Sequence, residues 1–178
     1  MRQEAEAHTT LIPGAAEIAR WIARRGIAIG SGTGYTREMM AGILPRAAAQ
    51  GYAPQAVVCA DDTKEGRPSP LPMWKALLDL GAWPTWRCVK VDDAVVGVAE
   101  GRAAGAWTVG IAASGNGVGL DLEAWQALSE AERDKRTEAC ERELLDAGAD
   151  YVVATVADLE TVFVDIERRL AAGDRPRL

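Results

Sequence analysis

Short apolar runs rich in β-branched residues alternate along this chain with segments that have the periodicity of a helix. The runs cover residues 27–30, 56–59, 87–91, 107–111 and 151–153. Strands that alternate with helices predict a parallel sheet with crossover helices on its faces. The pattern therefore predicts an α/β fold.

Helix signals lie between and after these runs. Pro13 favours the start of a first helix that buries Ile18, Trp21 and Ile22 and ends at Gly26. Residues 129–132 form a capping-box pattern, and the glycine-rich residues 114–120 predict a loop. The other helices are predicted from Thr36 with Met39, Met40, Ile43 and Leu44 on one face, over 73–80, after Asp93, over 129–147, and through Val156, Leu159, Phe163, Ile166 and Leu170.

Length and charge limit the classes of function. The chain has 178 residues, 48% of them hydrophobic, which suffices for one compact domain with a core. Its net charge is −6, and no cluster of lysines and arginines is larger than a pair. These features argue against a nucleic-acid-binding surface and favour a small ligand.

Cysteine usage and the N-terminus indicate the compartment. Cys59, Cys88 and Cys140 are odd in number and form no Cys-x-x-Cys pair, which is typical of packing residues in a reduced protein. No apolar stretch has membrane-spanning length, and the N-terminal sequence MRQEAEAHTT is polar and acidic, unlike a signal peptide. We therefore expect a cytoplasmic protein that does not contact a membrane.

Histidine is nearly absent from the chain. His8 is the single histidine, and it lies in a polar N-terminal segment that we expect to be frayed. Ser-His and Cys-His nucleophile pairs and poly-histidine metal sites are therefore disfavoured. Any catalysis must depend on carboxylates, hydroxyls, lysine, arginine or a bound metal.

In open α/β sheets, ligands bind beyond the carboxyl ends of the strands. The loop Ser31-Gly32-Thr33-Gly34 follows the first apolar run and precedes a predicted helix. Its hydroxyls, backbone N–H groups and helix N-terminus together are suited to hold an anion such as phosphate. The loop matches neither a Walker motif nor a dinucleotide fingerprint. A plain tight turn is the alternative interpretation.

A second candidate follows the run at 56–59. Arg67 lies in a Gly-Arg-Pro turn, within the stretch CADDTKEGRPSP. A guanidinium in a rigid turn is suited to bidentate contact with phosphoryl oxygens. The alternative is a solvated loop arginine.

A third candidate is the pair Asp92-Asp93 at the end of the run at 87–91. Two adjacent carboxylates near a site favour a hard cation such as Mg²⁺, because burial without a cation would raise one pKa strongly. The alternative is that one of them caps the helix that begins near Ala94.

A hydroxyl loop, an arginine and a carboxylate pair, in this order after successive strands, resemble the second, third and fourth motifs of the haloacid dehalogenase superfamily. The runs IGSGTGYTREMM, AAAQGY, GRPSP, CVKVDD and EGRAAGAWTVGIAASGNGVGL are similar to those of the phosphonoacetaldehyde hydrolase family within it. The similarity covers about residues 11–170. It implies a Rossmann-like core and Mg²⁺-dependent hydrolysis of phosphonoacetaldehyde to acetaldehyde and phosphate.

The resemblance also implies roles for individual residues. Thr33 would hydrogen-bond the phosphoryl group and Arg67 would supply the cation, and both are expected to be catalytic. Asp93 would bind Mg²⁺ with Asp92 beside it, and Asp93 is also expected to be catalytic. Ser31, Gly34 and Tyr35 are expected to bind substrate.

Two positions depart from the family pattern. Gly97 stands where some relatives carry a further acid. Gly32 stands where we expect a hydroxyl residue, and it would loosen the loop slightly.

Two groups that the family reaction needs have no counterpart in these 178 residues. One is a nucleophilic aspartate in a first-strand run of the form hydrophobic-Asp-x-Ala-Gly-Thr, and the other is a cap-domain lysine that forms a Schiff base with the aldehyde. The four lysines, Lys64, Lys75, Lys90 and Lys135, all lie outside cap-like segments. The sequence therefore resembles the carboxyl-terminal portion of the family, without the first strand and cap. We expect residues 1–10 to be a flexible remnant of the cap or linker, 11–170 a partial core domain and 171–178 a tail.

Three interpretations stay open at this point. The chain is an incomplete enzyme that is inactive alone, a non-catalytic phosphate-binding or regulatory remnant, or half of a split enzyme. The expected partners are a small phosphonate or phosphate, Mg²⁺ as cofactor, and either a second copy of the chain or a complementing amino-terminal chain.

Overall fold

The computed structural model describes residues 9–113, 124 and 127–177. The predicted loop at 114–120 and the histidine at position 8 lie outside the described residues. In chain order the elements are α1 (Ala15–Arg24), β1 (Gly30–Gly32), α2 (Arg37–Ala49), β2 (Ala56–Val58), α3 (Leu71–Leu80), a 3₁₀ turn (Thr85–Arg87), β3 (Val89–Asp92), α4 (Val95–Ala104), β4 (Trp107–Ile111), α5 (Glu130–Asp146), β5 (Tyr151–Val153), a 3₁₀ turn (Val156–Asp158) and α6 (Leu159–Ala171).

The strands form two parallel sheets. In the smaller sheet β1 pairs with β2, with Gly30 opposite Ala56. In the larger sheet β4 lies between β3 and β5, with Val89 opposite Trp107 and Val109 opposite Tyr151. Parallel strands joined by helices confirm the predicted α/β class. Within the described ranges, no ladder joins β1 to β3.

Two of the predicted strands begin too early in the sequence, and the second strand ends one residue before the predicted Cys59. The first strand covers Gly30–Gly32 instead of residues 27–30, because β2 determines which residues pair. Gln55 holds Ile29 just before the ladder, since its side chain accepts from the Ile29 N–H and its N–H donates to the Ile29 carbonyl. The strand predicted from Arg87 begins at Val89, because residues 85–87 form a 3₁₀ turn after Pro84.

Most helix ends follow the predicted signals. Thr36 caps α2 by accepting from the Met39 N–H at 3.4 Å, and Ser129 caps α5 by accepting from the Glu132 N–H at 3.3 Å. Gly26 has a φ of 69° directly after α1, a conformation that favours glycine. The predicted burial on α1 is only partial, because Ile18, Trp21 and Ile22 are half-buried and Ala19 is the buried residue.

The core surrounds β4, whose five residues are all buried. On one side, Trp107, Val109 and Ile111 pack with residues of α6. On the other side, Cys140 and Leu144 of α5 belong to a cluster with Val98, Ala112 and Ala149. All three cysteines are free thiols, and Cys59 and Cys140 are buried, as expected of packing residues. None of the helices in the described ranges is long and apolar enough to cross a membrane.

Candidate functional site

A small cleft lies where the loops after β1 and β2 meet the start of α3. Its volume is about 50 Å³, which corresponds to room for roughly three to five water molecules or a small polar group. The lining residues are Gly32, Thr33, Gly34, Cys59, Ala60, Thr63, Gly66, Arg67, Pro72 and Glu100. Of the predicted site residues, Thr33, Gly34 and Arg67 therefore meet at one place.

The loop after β1 is fixed by its own backbone and by β2. The Thr33 N–H donates to the Val58 carbonyl at 3.0 Å, and the Thr33 hydroxyl accepts from the Tyr35 N–H at 3.1 Å. These bonds hold Thr33 on the cleft wall beside Gly34. A Cβ atom on Gly34 would lie 3.5 Å from Arg67 Nη2, so the loop and the guanidinium are close neighbours.

Ser31 and Tyr35 are placed differently. The Ser31 side chain is hydrogen-bonded to Tyr52, whose pKa is raised by burial and lowered to a smaller extent by this bond. The Tyr35 side chain is 46% exposed, while its carbonyl accepts from the Ala60 N–H. Neither residue is among those that line the cleft. Their predicted role in substrate binding stays a prediction.

Arg67 lies between the cleft and the end of β3. Its Nη1 donates to the two carboxylate oxygens of Asp92 at 3.2 and 3.5 Å, and the side chain is 28% exposed. The following Pro68 is joined by a cis peptide bond. An ion pair fixes this guanidinium at the cleft, in contrast to the alternative of a freely solvated arginine.

The two carboxylates at the end of β3 differ in their surroundings. The Asp92 side chain is only 8% exposed, contacts Arg67 and Lys90, and accepts from the Ala94 N–H at 3.0 Å. Asp93 is half-buried, and its charge contributes to raising the pKa of the Cys140 thiol, for which burial is the larger cause. Asp92 is therefore the carboxylate paired with Arg67. Ala94 is the N-cap residue of α4, and the Asp92 carboxylate accepts from its backbone N–H, so Asp92 also stabilises the start of this helix, in the direction of the helix-cap alternative.

A second acidic pair, Asp61-Asp62, stabilises the start of α2. The Arg37 N–H donates to Asp61 Oδ1 at 3.0 Å, and the Arg37 guanidinium forms an ion pair with Asp62. Asp62 also accepts from the Cys59 N–H at 2.7 Å. The hydrogen bond from Arg37 is the main reason that the pKa of Asp62 is lowered. These carboxylates have a structural role that joins β2 to α2.

Two charged residues of the site were missed by the sequence-based reasoning. Lys90 Nζ lies 2.6 Å from Glu100 Oε2 and 3.2 Å from Asp92 Oδ2, and Glu100 lines the cleft while only 1% exposed. Two sequence features could have identified these residues: a lysine inside an apolar strand, and a glutamate between apolar residues of α4. Such charges are rarely buried unless they are paired.

The described residues only partly fit a magnesium site. No group of three or more histidine, cysteine, aspartate or glutamate side chains converges anywhere in the described ranges. Asp92 already contacts two cationic side chains. Asp93, a hard carboxylate just beyond β3, stays the predicted magnesium ligand of the pair.

Comparison with known proteins identifies close relatives. The chain is 48% identical to a phosphonoacetaldehyde hydrolase from Paraburkholderia phytofirmans over 172 residues, which are 97% of this chain and 64% of that protein. It is 45% identical to the phosphonoacetaldehyde hydrolase from Vibrio vulnificus over 170 residues, 95% of this chain and 63% of the relative. The chain thus spans less than two thirds of the length of these curated relatives.

Solved structures and a family profile agree with this relationship. The crystal structure of a phosphonoacetaldehyde hydrolase-like protein from Oleispira antarctica superposes with a TM-score of 0.96 at 45% identity, over 98% of this chain and 63% of that one. A hydrolase from Deinococcus radiodurans solved with bound phosphate and sodium matches at 25% identity with a TM-score of 0.65, over 89% of this chain and 61% of that one. A profile of the haloacid dehalogenase-like hydrolases matches residues 2–105. The chain belongs to the haloacid dehalogenase-like hydrolase family.

Proposed function

We propose that this chain forms the phosphoryl-binding part of a phosphonoacetaldehyde hydrolase. The reaction is cleavage of the carbon–phosphorus bond of phosphonoacetaldehyde to give acetaldehyde and phosphate. The observation that carries the proposal is the position of Arg67, which an ion pair holds at a cleft that Thr33 and Gly34 also line. The names of the curated relatives and the phosphate bound in the Deinococcus radiodurans hydrolase support the same ligand chemistry.

The described residues can bind and stabilise a phosphoryl group. The Arg67 guanidinium offers N–H donors beyond the one that contacts Asp92, and it would offset negative charge on the phosphoryl oxygens as they react. Thr33 and the loop backbone would fix the orientation of that group. The nucleophilic carboxylate and the imine-forming lysine of the family have no matching motif in this sequence, so we propose that they come from a complementing segment.

Mg²⁺ is the proposed cofactor, and Asp93 is its proposed ligand in this chain. A bound Mg²⁺ would supply positive charge for the phosphoryl oxygens. Mg²⁺ commonly keeps several water ligands and takes only one or two carboxylates. We expect weak Mg²⁺ binding by this chain, because one carboxylate ligand is missing together with the nucleophile motif, and we expect Asp92 to act through Arg67 instead of as a ligand.

Calorimetric titration of the full chain with inorganic phosphate in the presence of Mg²⁺ tests the anion site. We expect weak binding that Arg67→Ala abolishes, because the principal cation of the cleft is removed. Arg20→Ala is the matched control, since Arg20 is an exposed arginine of α1 paired with Glu17. Identical binding by the unchanged chain and by Arg67→Ala would remove Arg67 from the site.

Turnover distinguishes the catalytic proposal from its alternative. We expect the purified chain to hydrolyse phosphonoacetaldehyde no faster than a blank, and to gain activity when a chain carrying the nucleophile and the lysine is added. The second candidate function is a phosphate-binding module without turnover, which would stay inactive after complementation. The ion pairs of Asp92 with two cationic side chains favour this candidate. Activity of the chain alone that disappears in Asp93→Ala would contradict the need for a complementing segment.

The last part of the proposal concerns the partners of this chain and its oligomeric state. We propose that the chain assembles either with a complementing amino-terminal chain, in the cytoplasm, or with a second copy of itself. Light scattering coupled to size exclusion separates these outcomes. If the chain is a monodisperse monomer and stays one when the complementing chain is added, both forms of assembly are contradicted.

A further inference from the structure

Four charged side chains form a compact cluster at the floor of the cleft, and two of them, Arg67 and Glu100, belong to its lining. Arg67 contacts Asp92, Asp92 contacts Lys90, and Lys90 contacts Glu100, with N–O separations of 3.2, 3.2 and 2.6 Å. Two formal positive charges thus balance two negative ones. Lys90, Asp92 and Glu100 have side chains 12%, 8% and 1% exposed, so water screens them little.

Glycines of α4 create the space for this cluster. A Cβ atom on Gly97 would lie 2.0 Å from the carboxyl carbon of Asp92, and one on Gly101 would lie 2.6 Å from Cβ of Lys90. The two glycines are one helical turn apart and therefore lie on the same face of α4. The helix backbone thus packs directly against the two side chains and restricts their movement.

The cluster also connects the two sheets. Lys90 and Asp92 belong to β3, while Arg67 precedes α3, which packs on β1 and β2. A Cβ atom on Gly32 would lie 3.8 Å from Lys90 Nζ, so the ammonium approaches the loop that forms the cleft. Lys90 therefore lies close enough to affect the electrostatic potential in the cleft.

We propose that Lys90 and Glu100 are positioning residues that set the charge balance beneath the cleft and thereby its affinity for a phosphoryl anion. This inference rests on the proposed function. Lys90 offsets part of the negative charge of Asp92, so more of the positive charge of Arg67 acts on the cleft. Glu100 offsets the charge of Lys90, so binding of the anion depends on Arg67.

The proposal predicts that replacing Lys90 and replacing Glu100 change the affinity for phosphate in opposite directions. Lys90→Met leaves an excess negative charge under the cleft and should weaken phosphate binding by roughly tenfold, since a charge removed within several ångströms acts at an effective dielectric constant of about 20. Glu100→Gln leaves an excess positive charge and should tighten binding by a similar factor. The double variant Lys90→Met/Glu100→Gln restores neutrality and should bind almost as the unchanged chain does.

A purely structural ion pair predicts a different pattern. Each single variant leaves a buried charge without its partner and lowers stability, so both would weaken binding together. Denaturation in urea should show this loss of stability in both single variants. The sign of the binding change for Glu100→Gln therefore separates positioning of charge from support of the fold.

The experiment is calorimetric titration of the full-length chain and its variants with inorganic phosphate. The matched controls are Lys75→Met and Asp79→Asn, which break an exposed lysine–aspartate pair on α3 at 3.0 Å and should leave binding unchanged. If Lys90→Met does not fold, Glu100→Gln can be compared with the double variant. These two variants differ only at residue 90, so the comparison measures the effect of removing the lysine charge.

The outcomes separate this inference from the function on which it rests. Opposite shifts for the single variants and near-normal binding for the double variant support it. Weaker binding in both single variants, or no change in either, overturns it while phosphate binding through Arg67 stands. Absence of Arg67-dependent phosphate binding in the unchanged chain overturns both.

Discussion

The two sheets of this molecule differ in how they are stabilised. The larger sheet is centred on β4, which is buried along its whole length and packed between α5 and α6. In the smaller sheet, β1 consists of Gly-Ser-Gly, with both glycines exposed. The larger sheet thus contains most of the apolar packing, and the smaller sheet carries the loop that forms the cleft.

This difference indicates where stability and ligand binding are located. β1 has little side chain to bury, so pairing with β2 and packing of α3 hold it in place. Regions with few buried apolar contacts open more readily than core strands. We therefore expect the smaller sheet to exchange its amide protons faster than β4, and the charged cluster under the cleft to connect the two regions.

The largest expected effect comes from deleting side-chain volume in the larger sheet's core. Leu144 is 1% exposed and lies against Gly110 of β4, so Leu144→Ala should lower the free energy of unfolding by about 2–5 kcal/mol. Leu78→Ala removes the same atoms from α3, where the side chain is 80% exposed, and should change stability by less than about 0.5 kcal/mol. Urea denaturation measures both. Equal losses would contradict the burial of Leu144 in the core of the larger sheet.

The next effect concerns β1 and β3, which no ladder joins in the described ranges and between which the family resemblance implies a further strand. A peptide of the form hydrophobic-Asp-x-Ala-Gly-Thr, added as an extended strand, should pair there and raise the melting temperature. At a hundredfold excess over its Kd, the stabilisation should be about 2.7 kcal/mol. Hydrogen exchange should slow in β1 and β3 more than in β4. A sharp melting transition that the peptide leaves unchanged would show that the five strands need no further partner.

A third prediction tests the connection between the regions. Gly97→Ala places a Cβ atom 2.0 Å from the Asp92 carboxyl carbon, so it should cost about 1–3 kcal/mol and displace Asp92 from Arg67. Gly66→Ala is the control, because an added Cβ there meets no atom within 4 Å. Urea denaturation should show a loss of stability for Gly97→Ala alone. Equal free energies of unfolding for the two variants would mean that α4 shifts to accommodate the added atom without disturbing Asp92.

The smallest effect is the dependence of stability on pH. Arg37 lowers the folded-state pKa of Asp62 below its ordinary value of 3.8, and the Tyr151 hydroxyl, with Arg168, does the same for Asp165 of α6, the helix that packs on the larger sheet. Each carboxylate therefore stabilises the fold above its ordinary pKa, and this contribution is lost as pH falls through the lower folded value. Asp62→Asn and Asp165→Asn should each flatten the loss of stability below about pH 4 in urea denaturation. If both variants lose stability at low pH in the same way as the unchanged chain, the lowered pKa values assigned to Asp62 and Asp165 are contradicted.

Sequence periodicity predicted much of the larger sheet. The runs at Trp107–Ile111 and Tyr151–Val153 became β4 and β5 with the predicted bounds. β4 is buried on both faces and β5 is half-buried, and such strands of a parallel sheet have mainly apolar sequences. The smaller sheet was harder to predict. The strand Gly30–Gly32 has no apolar pattern of its own, and its position depends on the register with β2.

Local signals were sufficient to predict the α/β class, the helix starts at Thr36 and Ser129, and the candidates Thr33 and Arg67, because caps, periodicity and motif residues are visible in the sequence. The folded arrangement was needed to show that Asp92 pairs with Arg67 and that Lys90 and Glu100 complete the cluster. Those contacts join residues separated by as many as 25 positions, and their geometry depends on how closely α4 packs against β3. Burial then gives these charges their importance, because a charge removed from water needs a partner that only the folded chain supplies.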